Sequence, residues 1–216
     1  AGVRGALTSY LSGEIAGFYL NFSNQIIPVS ESSGGVGTGL TGLINAGETR
    51  HLGVESTIQL NISELLSLHN GVVLQNTATY TKATFSNDRN IDIGSGNRVN
   101  VKGNTLPYAP EWLVNTRLDI RTTFGLGFGI DGTYIGQQFG DVLNLIEGSG
   151  NGRTGEIPAY YVVNAGVSYS LPQNENLTFS ASVKNLLDER YIVSRRPQGI
   201  RVGLPRFITA GVDFKF

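Results

Sequence analysis

The sequence predicts an all-β protein: a transmembrane antiparallel up-and-down β-barrel wall. Three observations predict it. Apolar residues recur at every second position in nine separate stretches. The connections between those stretches alternate short and long. The chain closes on an alternating segment that ends in an aromatic residue. A period of two gives a strand one dry and one wet face. Turns gathered at one end and long loops at the other describe a barrel that spans a bilayer, whereas Greek-key sandwiches do not sort their connections so regularly.

Taken in order, a short strand is expected at 2–7. Residues 14–22 alternate Ala16, Phe18, Leu20 and Phe22 with Ile15, Gly17, Tyr19 and Asn21. In 52–62, Leu52, Val54, Ile58, Leu60 and Ile62 oppose Glu55, Thr57 and Gln59. In 72–81, Val72, Leu74, Ala78 and Tyr80 oppose Gln75, Thr77 and Thr79. Residues 112–121 set Trp112, Val114, Leu118 and Ile120 against Asn115, Arg117, Asp119 and Arg121, and 126–134 follow with Leu126, Phe128, Ile130 and Tyr134. The longest run, 157–171, aligns Ile157, Ala159, Tyr161, Val163, Ala165, Val167, Tyr169 and Leu171. Residues 177–184 and 208–216 complete the nine. The short connections are 8–13, 63–68, 122–125 and 172–176. The long ones are 29–47, 85–105, 141–156 and 187–203. Helical patterning is confined to 63–67 and 186–190, too short to organise a domain. Several strands exceed the ~9–11 residues that cross a bilayer, so the wall is expected to project beyond it.

Composition agrees. Charged residues are 15% of the chain against a usual ~25%, and Gly accounts for 29 of 216 residues. Net charge is −1, with no basic excess that would suggest nucleic acid as a partner. No stretch approaches the ~18 apolar residues of a membrane helix. Nine is an odd count where single-chain bacterial barrels are even, and Ala1 is neither Met nor part of a signal peptide. A cut point in a longer chain is therefore expected, with the missing wall on the N-terminal side. Aromatic residues near strand ends (Tyr19, Phe22, Tyr80, Tyr108, Trp112, Tyr134, Tyr160 and Tyr161) are expected to form interfacial girdles.

No catalytic constellation or cofactor site emerges. His51 and His69 stand eighteen apart in different strand contexts, which suits no metal site. The GTGLTG run at 37–42 matches a dinucleotide fingerprint but lacks the helix that would follow it. Asp88, Asp92 and Asp141 lack the spacing of a calcium loop. Arg117, Asp119 and Arg121, with Glu55, Asp131, Lys184, Asp213 and Lys215, read as cross-strand charge pairs on a wet interior. The alternative is an electrostatic path for an anionic ligand. Arg153, Arg195, Arg196 and Arg201 fall in the last two long loops. Their guanidinium forks suit the carboxylates of an anionic ligand, or equally the phosphates of lipopolysaccharide.

Five passages carry a family resemblance: EIAGFYLNFSNQI at 14–26, TRHLGVE at 49–55, GNTLPYAPEW at 103–112, VKNLLDERY at 183–191, and the closing 203–216 with its Gly-x-Pro-Arg and terminal Phe. The chain resembles the C-terminal barrel segment of TonB-dependent outer-membrane receptors. Leu187 departs from the usual Phe of the Asn-Leu-Phe-Asp motif. The pairing of TGEIP at 154–158 with VKNLLDERY is most like ferric-citrate and related ferric-siderophore receptors. The resemblance implies a 22-stranded barrel in the bacterial outer membrane, with residues 1–216 as its C-terminal portion. A plug domain and the N-terminal strands would precede it. It implies active import of an iron chelate, no catalysed reaction, and energy from the inner-membrane TonB–ExbB–ExbD complex. Outer-membrane lipid, lipopolysaccharide and the barrel assembly machinery become expected partners, the last reading Gly211, Phe214 and Phe216 as its signal. A passive porin or adhesion-type barrel, and a soluble β-sandwich binding module, are the alternatives.

Overall fold

The computed structural model describes residues 1–28, 43–45, 47–94, 97–172, 174–196 and 199–215. Phe216 and the GTGLTG run therefore lie outside the described residues. In chain order the elements are β1 (Gly2–Ala6), β2 (Leu11–Phe22), β3 (Ile26–Pro28), β4 (Leu43–Asn45), β5 (Thr49–Asn61), a one-turn helix α1 (Ile62–Leu66) and β6 (Gly71–Phe85). Then come β7 (Asn90–Gly94), β8 (Asn97–Asn100), β9 (Trp112–Arg121), β10 (Leu126–Ile135), β11 (Gln138–Phe139) and β12 (Glu156–Ile157). The last five are β13 (Tyr160–Leu171), β14 (Asn174–Lys184), β15 (Ile192–Ser194), β16 (Arg201–Val202) and β17 (Phe207–Phe214).

Nine of these strands form one antiparallel sheet in the order β1-β2-β5-β6-β9-β10-β13-β14-β17. Each wall strand thus pairs with the next wall strand along the chain, the up-and-down meander the alternation predicts. The other eight strands form four two-stranded hairpins, one inside each long connection. The short connections close by local chemistry. Asn61 caps α1 by accepting from the Glu64 amide, and Ser67 ends it in the left-handed region at φ 52°. The Ser63 hydroxyl donates to Asn70 O and accepts from the Val72 amide. Gly125 turns β9 into β10 at φ +93°, where a Cβ would stand 2.2 Å from Ser170 O.

Two local expectations fail for identifiable reasons. The run 157–171 is not one strand: Pro158 has no N–H for the ladder, so the wall strand begins at Tyr160 while Ile157 joins β12 and is fully buried. Residues 186–190 form a turn, because Asn185 and Asp188 adopt left-handed φ values of 50° and 55°.

Register decides which face is which. Ile130, Ala165, Val183 and Ile208 lie in line across β10, β13, β14 and β17. One residue away, Asp119, Gly129, Gly166, Ser182 and Thr209 line up across the other face. Within β2, counting apolar side chains favours the Ala16-to-Phe22 set as the dry face. Its pairing with β5 does the opposite: Tyr19 stands beside Leu52 and Gly17 beside Val54, on the apolar face. Phe18, Leu20 and Phe22 face the polar side. There Phe18 lies over Gly53, where a Cβ would meet the ring at 2.4 Å. Phe22 meets the His51 ring edge-on at 5.1 Å.

On the apolar face, Tyr80 and Trp112 are cross-strand partners with ring centroids 5.0 Å apart, and Tyr134 pairs with Tyr161. With Tyr19 they make an aromatic row at the loop end. Phe128, Tyr169, Phe179 and Phe214 make a second row toward the turns. Tyr161 and Tyr169 are eight residues apart, ~26 Å at ~3.3 Å per residue. Strand tilt shortens that to roughly 20 Å, near the ~25 Å apolar band of outer-membrane barrels. Three expected girdle members are elsewhere. Phe22 and Tyr160 are one residue out of phase and face the polar side, and Tyr108 belongs to a long connection.

The wall does extend past the band. β6 runs 15 residues, and its end is covered by a small core of Phe85, Ile91, Val101 and Val142, with Leu106 and Leu143 against it.

Candidate functional site

The four long connections are laced side to side. The Glu48 amide, in the first, donates to Asn87 Oδ1 at 3.0 Å, and the Ser86 amide returns a bond to Glu48 O. Asn144, in the third, donates to Thr105 O and accepts from the Thr105 amide, both at 2.8 Å, so its side chain mimics one rung of a β-ladder. Asn104 donates to Val142 O at 3.0 Å. Asp141 is fully buried, and its carboxylate accepts from the amides of Leu143, Leu145 and Gly155. Its oxygens are committed to backbone donors, which is a loop brace rather than a cation ligand. Asp88 sits in the second connection, where hydrogen bonds from Asn100 and then Lys102 hold its carboxyl below the ordinary carboxylate range. Among the described residues no cluster of three or more His, Asp or Glu is placed to hold a metal ion.

The last two long connections contain all four arginines singled out by sequence, and the structure brings them onto neighbouring hairpins. Arg195 is buried. Its Nε and Nη2 donate to Glu156 O at 3.0 and 2.8 Å, and its Nη1 donates to Gly152 O at 3.3 Å. Gly140 and Gly148 pack against this side chain; a Cβ on Gly140 would stand 3.0 Å from Arg195 Cδ. Arg195 is therefore the rivet between β12 and β15. Arg196 is differently used. Its Nε donates to Gly140 O at 2.9 Å and its guanidinium lies 5.4 Å over the Tyr108 ring, but its Nη2 is buried with no acceptor among the described residues. Arg153 is half-buried and Arg201 exposed; among the described residues neither guanidinium is in an ion pair.

Tyr108 is the residue sequence reading misplaced, and it sits where three connections meet. Its amide donates to Phe139 O, its hydroxyl accepts from the Arg195 amide, and its ring supports Arg196. It holds φ at 58°, a conformation that costs a bulky side chain of order 1–3 kcal/mol. A Tyr between two prolines in LPYAP was the available signal.

The polar face below offers a second candidate, a groove of ≈ 350 Å³ over β9, β10, β13 and β14. Arg117 and Asp119, two apart on β9, pair at 2.6 Å, and Asp131, directly opposite Arg117, accepts from Asn164 at 2.8 Å. The close ion pair thus runs along one strand, not across strands as expected. Gly127, Gly129 and Gly166 leave the groove its width. On the closing strand, Gly211 lies opposite Ser180 on the polar face, and Phe214 is exposed on the apolar one.

The profile of the family described as TonB dependent receptor-like, beta-barrel, matches residues 1–186. Among solved structures, the ferric citrate transporter FecA in its unliganded form is 27% identical with a TM-score of 0.76, over 98% of this chain and 30% of that one. The siderophore receptor PiuA from Acinetobacter baumannii shares the fold at 19% identity and TM-score 0.69, over 96% of this chain and 26% of its own. The ferric yersiniabactin uptake receptor FyuA from Yersinia pestis does so at 18% and 0.71, over 100% and 29%. The chain spans less than a third of each.

Proposed function

Because this chain belongs to the TonB-dependent receptor β-barrel family, we propose that it is the C-terminal part of the wall of a receptor that actively imports an iron chelate. The family consists of outer-membrane transporters, not enzymes, and the apolar face of the sheet is the surface that meets lipid. The observation that carries the chelate reading is the likeness to a ferric citrate transporter across nearly the whole chain. Ferric citrate is anionic, and the loop site is rich in arginine forks suited to carboxylate oxygens.

The mechanism divides the labour by position. Arg153, Arg196 and Arg201 contact the chelate, Arg196 as the loops move to uncover the buried Nη2 that no described residue pairs. Arg195 acts one step back, holding the hairpins in place. Loop closure then delivers the ligand inward, and a plug domain outside residues 1–216 is remodelled with energy passed through TonB. Gly211, Phe214 and Phe216 act earlier, as the signal read by the barrel assembly machinery.

The test is ferric citrate binding to the full-length receptor carrying Arg153→Ala, Arg196→Ala or Arg201→Ala. Losing a charge-assisted hydrogen bond costs about 1.5–3 kcal/mol, so each is expected to weaken binding roughly tenfold or more. Unchanged affinity in all three removes these residues from the site. Uptake that persists without TonB would replace active import with a passive pore.

A further inference from the structure

The charges on the lipid-facing side of the wall are not scattered. Among the described side chains of the nine wall strands, that face carries two charged residues, Arg50 on β5 and Lys82 on β6, and both are basic. Register makes them neighbours. Leu52 pairs with Lys82 and Arg50 with Thr84, so the two cations are diagonal partners on adjacent strands, roughly 7 Å apart at Cβ and within reach of one phosphate for such long side chains. Both are exposed, and among the described residues neither has a carboxylate within ion-pair distance. A bare cation near the hydrocarbon midplane would be unfavourable, but the cost falls to about 0–1 kcal/mol near the interface. That is where these sit. Lys82 is two residues beyond Tyr80, and Arg50 two beyond Leu52, the partner of Tyr19, so both lie just on the loop side of the aromatic row.

Arg50 also lines a recess. A cavity of ≈ 300 Å³ is lined by Tyr19, Asn21, Ser23, Glu48, Arg50 and Ser86. Asn21 stands directly opposite Arg50 and donates to the Tyr19 hydroxyl at 3.2 Å. Glu48 puts one carboxylate into the recess, beyond ion-pair reach of Arg50. At the other side of the sheet Arg206 is differently placed: it lies outside the strands and is paired with Asp188 at 3.8 Å.

We infer that Arg50 and Lys82 form a docking site for the phosphate of an outer-leaflet lipid, a lipopolysaccharide headgroup, on the outside of the wall. The arginine fork and the lysine point charge supply complementary donors for phosphate oxygens. Tyr19, Tyr80 and Trp112 mark the level at which headgroup gives way to acyl chain. Asn21, Ser23, Glu48 and Ser86 meet the hydroxyls of a sugar headgroup. The inference rests on the outer-membrane location and is independent of the transported chelate.

Native mass spectrometry of the full-length receptor, purified with added lipopolysaccharide, tests it. The wild type is expected to retain the lipid, and Arg50→Gln with Lys82→Gln to lose retention roughly tenfold or more, since each surface cation is worth about a fivefold gain. Enzymatically dephosphorylated lipopolysaccharide should bind the wild type as weakly as the intact lipid binds the variant. Millimolar inorganic phosphate should not displace the lipid. Unheated gel mobility confirms folding; if the double variant does not assemble, Lys82→Gln alone is expected to lose several-fold. Equal retention by a folded variant overturns the site, and displacement by inorganic phosphate overturns the lipid as its occupant.

Discussion

Replacing Arg195 with Ala is expected to unlatch the last two long connections while leaving the sheet intact. The side chain is buried and makes three hydrogen bonds to the carbonyls of Glu156 and Gly152, thirty-nine and forty-three residues away. Removing it leaves two carbonyls without their donors, at roughly 1–3 kcal/mol each, and opens a cavity between Gly140 and Gly148. Hydrogen exchange should rise by orders of magnitude for amides in β11, β12, β15 and β16 and stay slow in β13 and β14. Arg195→Lys should not restore protection, because one compact ammonium cannot reach both carbonyls as a planar fork does. Exchange unchanged in Arg195→Ala would mean that the hairpins hold together without the rivet. Because the proposed ligand contacts lie on the same hairpins, chelate affinity should fall as well, with the buried Arg195 acting through them.

Asn185→Ala is expected to impair assembly of the wall itself. Asn185 is 2% exposed; its Nδ2 donates to Glu189 O and Leu204 O, and its Oδ1 accepts from the Glu189 amide, all at 2.9 Å. One side chain therefore ties the end of β14 to the chain that enters β17. Three hydrogen bonds at about 1 kcal/mol net each, plus about 1–2 kcal/mol for a left-handed Ala, put the cost near 4–5 kcal/mol. The yield of heat-modifiable barrel should drop sharply. Asn185→Gly keeps the φ of 50° without strain and should recover only the smaller part. A wild-type yield and melting temperature for Asn185→Ala would remove the clamp as the explanation of the motif.

That motif shows what a sequence can and cannot express. VKNLLDERY announces itself as a unit, yet its helical look was misleading, because a turn built on side-chain capture of the backbone has no periodicity to detect. The wall strands were legible for the opposite reason. Trp112–Arg121 begins and ends where its alternation does, since period two is written into consecutive residues and any partner on either side preserves it. β2 marks the limit. Its alternation is clear, but both sets contain large apolar residues, and only pairing with β5 selects Ile15 and Tyr19 for the lipid side.

The arginines were legible as a charge cluster and not as individuals. Arg195 and Arg196 are adjacent and chemically identical, yet one is fixed on Glu156 O and the other buries an Nη2 beside Tyr108 that no described residue pairs. The sequence by itself determined the nine wall strands, their meander and the ends at which turns and loops lie, because each follows from local alternation and the length of the connection. Only the tertiary structure decided which face of β2 meets lipid, which arginine is a rivet, and that Arg50 and Lys82 stand together. Each of those depends on register or packing between residues tens of positions apart, which no local pattern encodes.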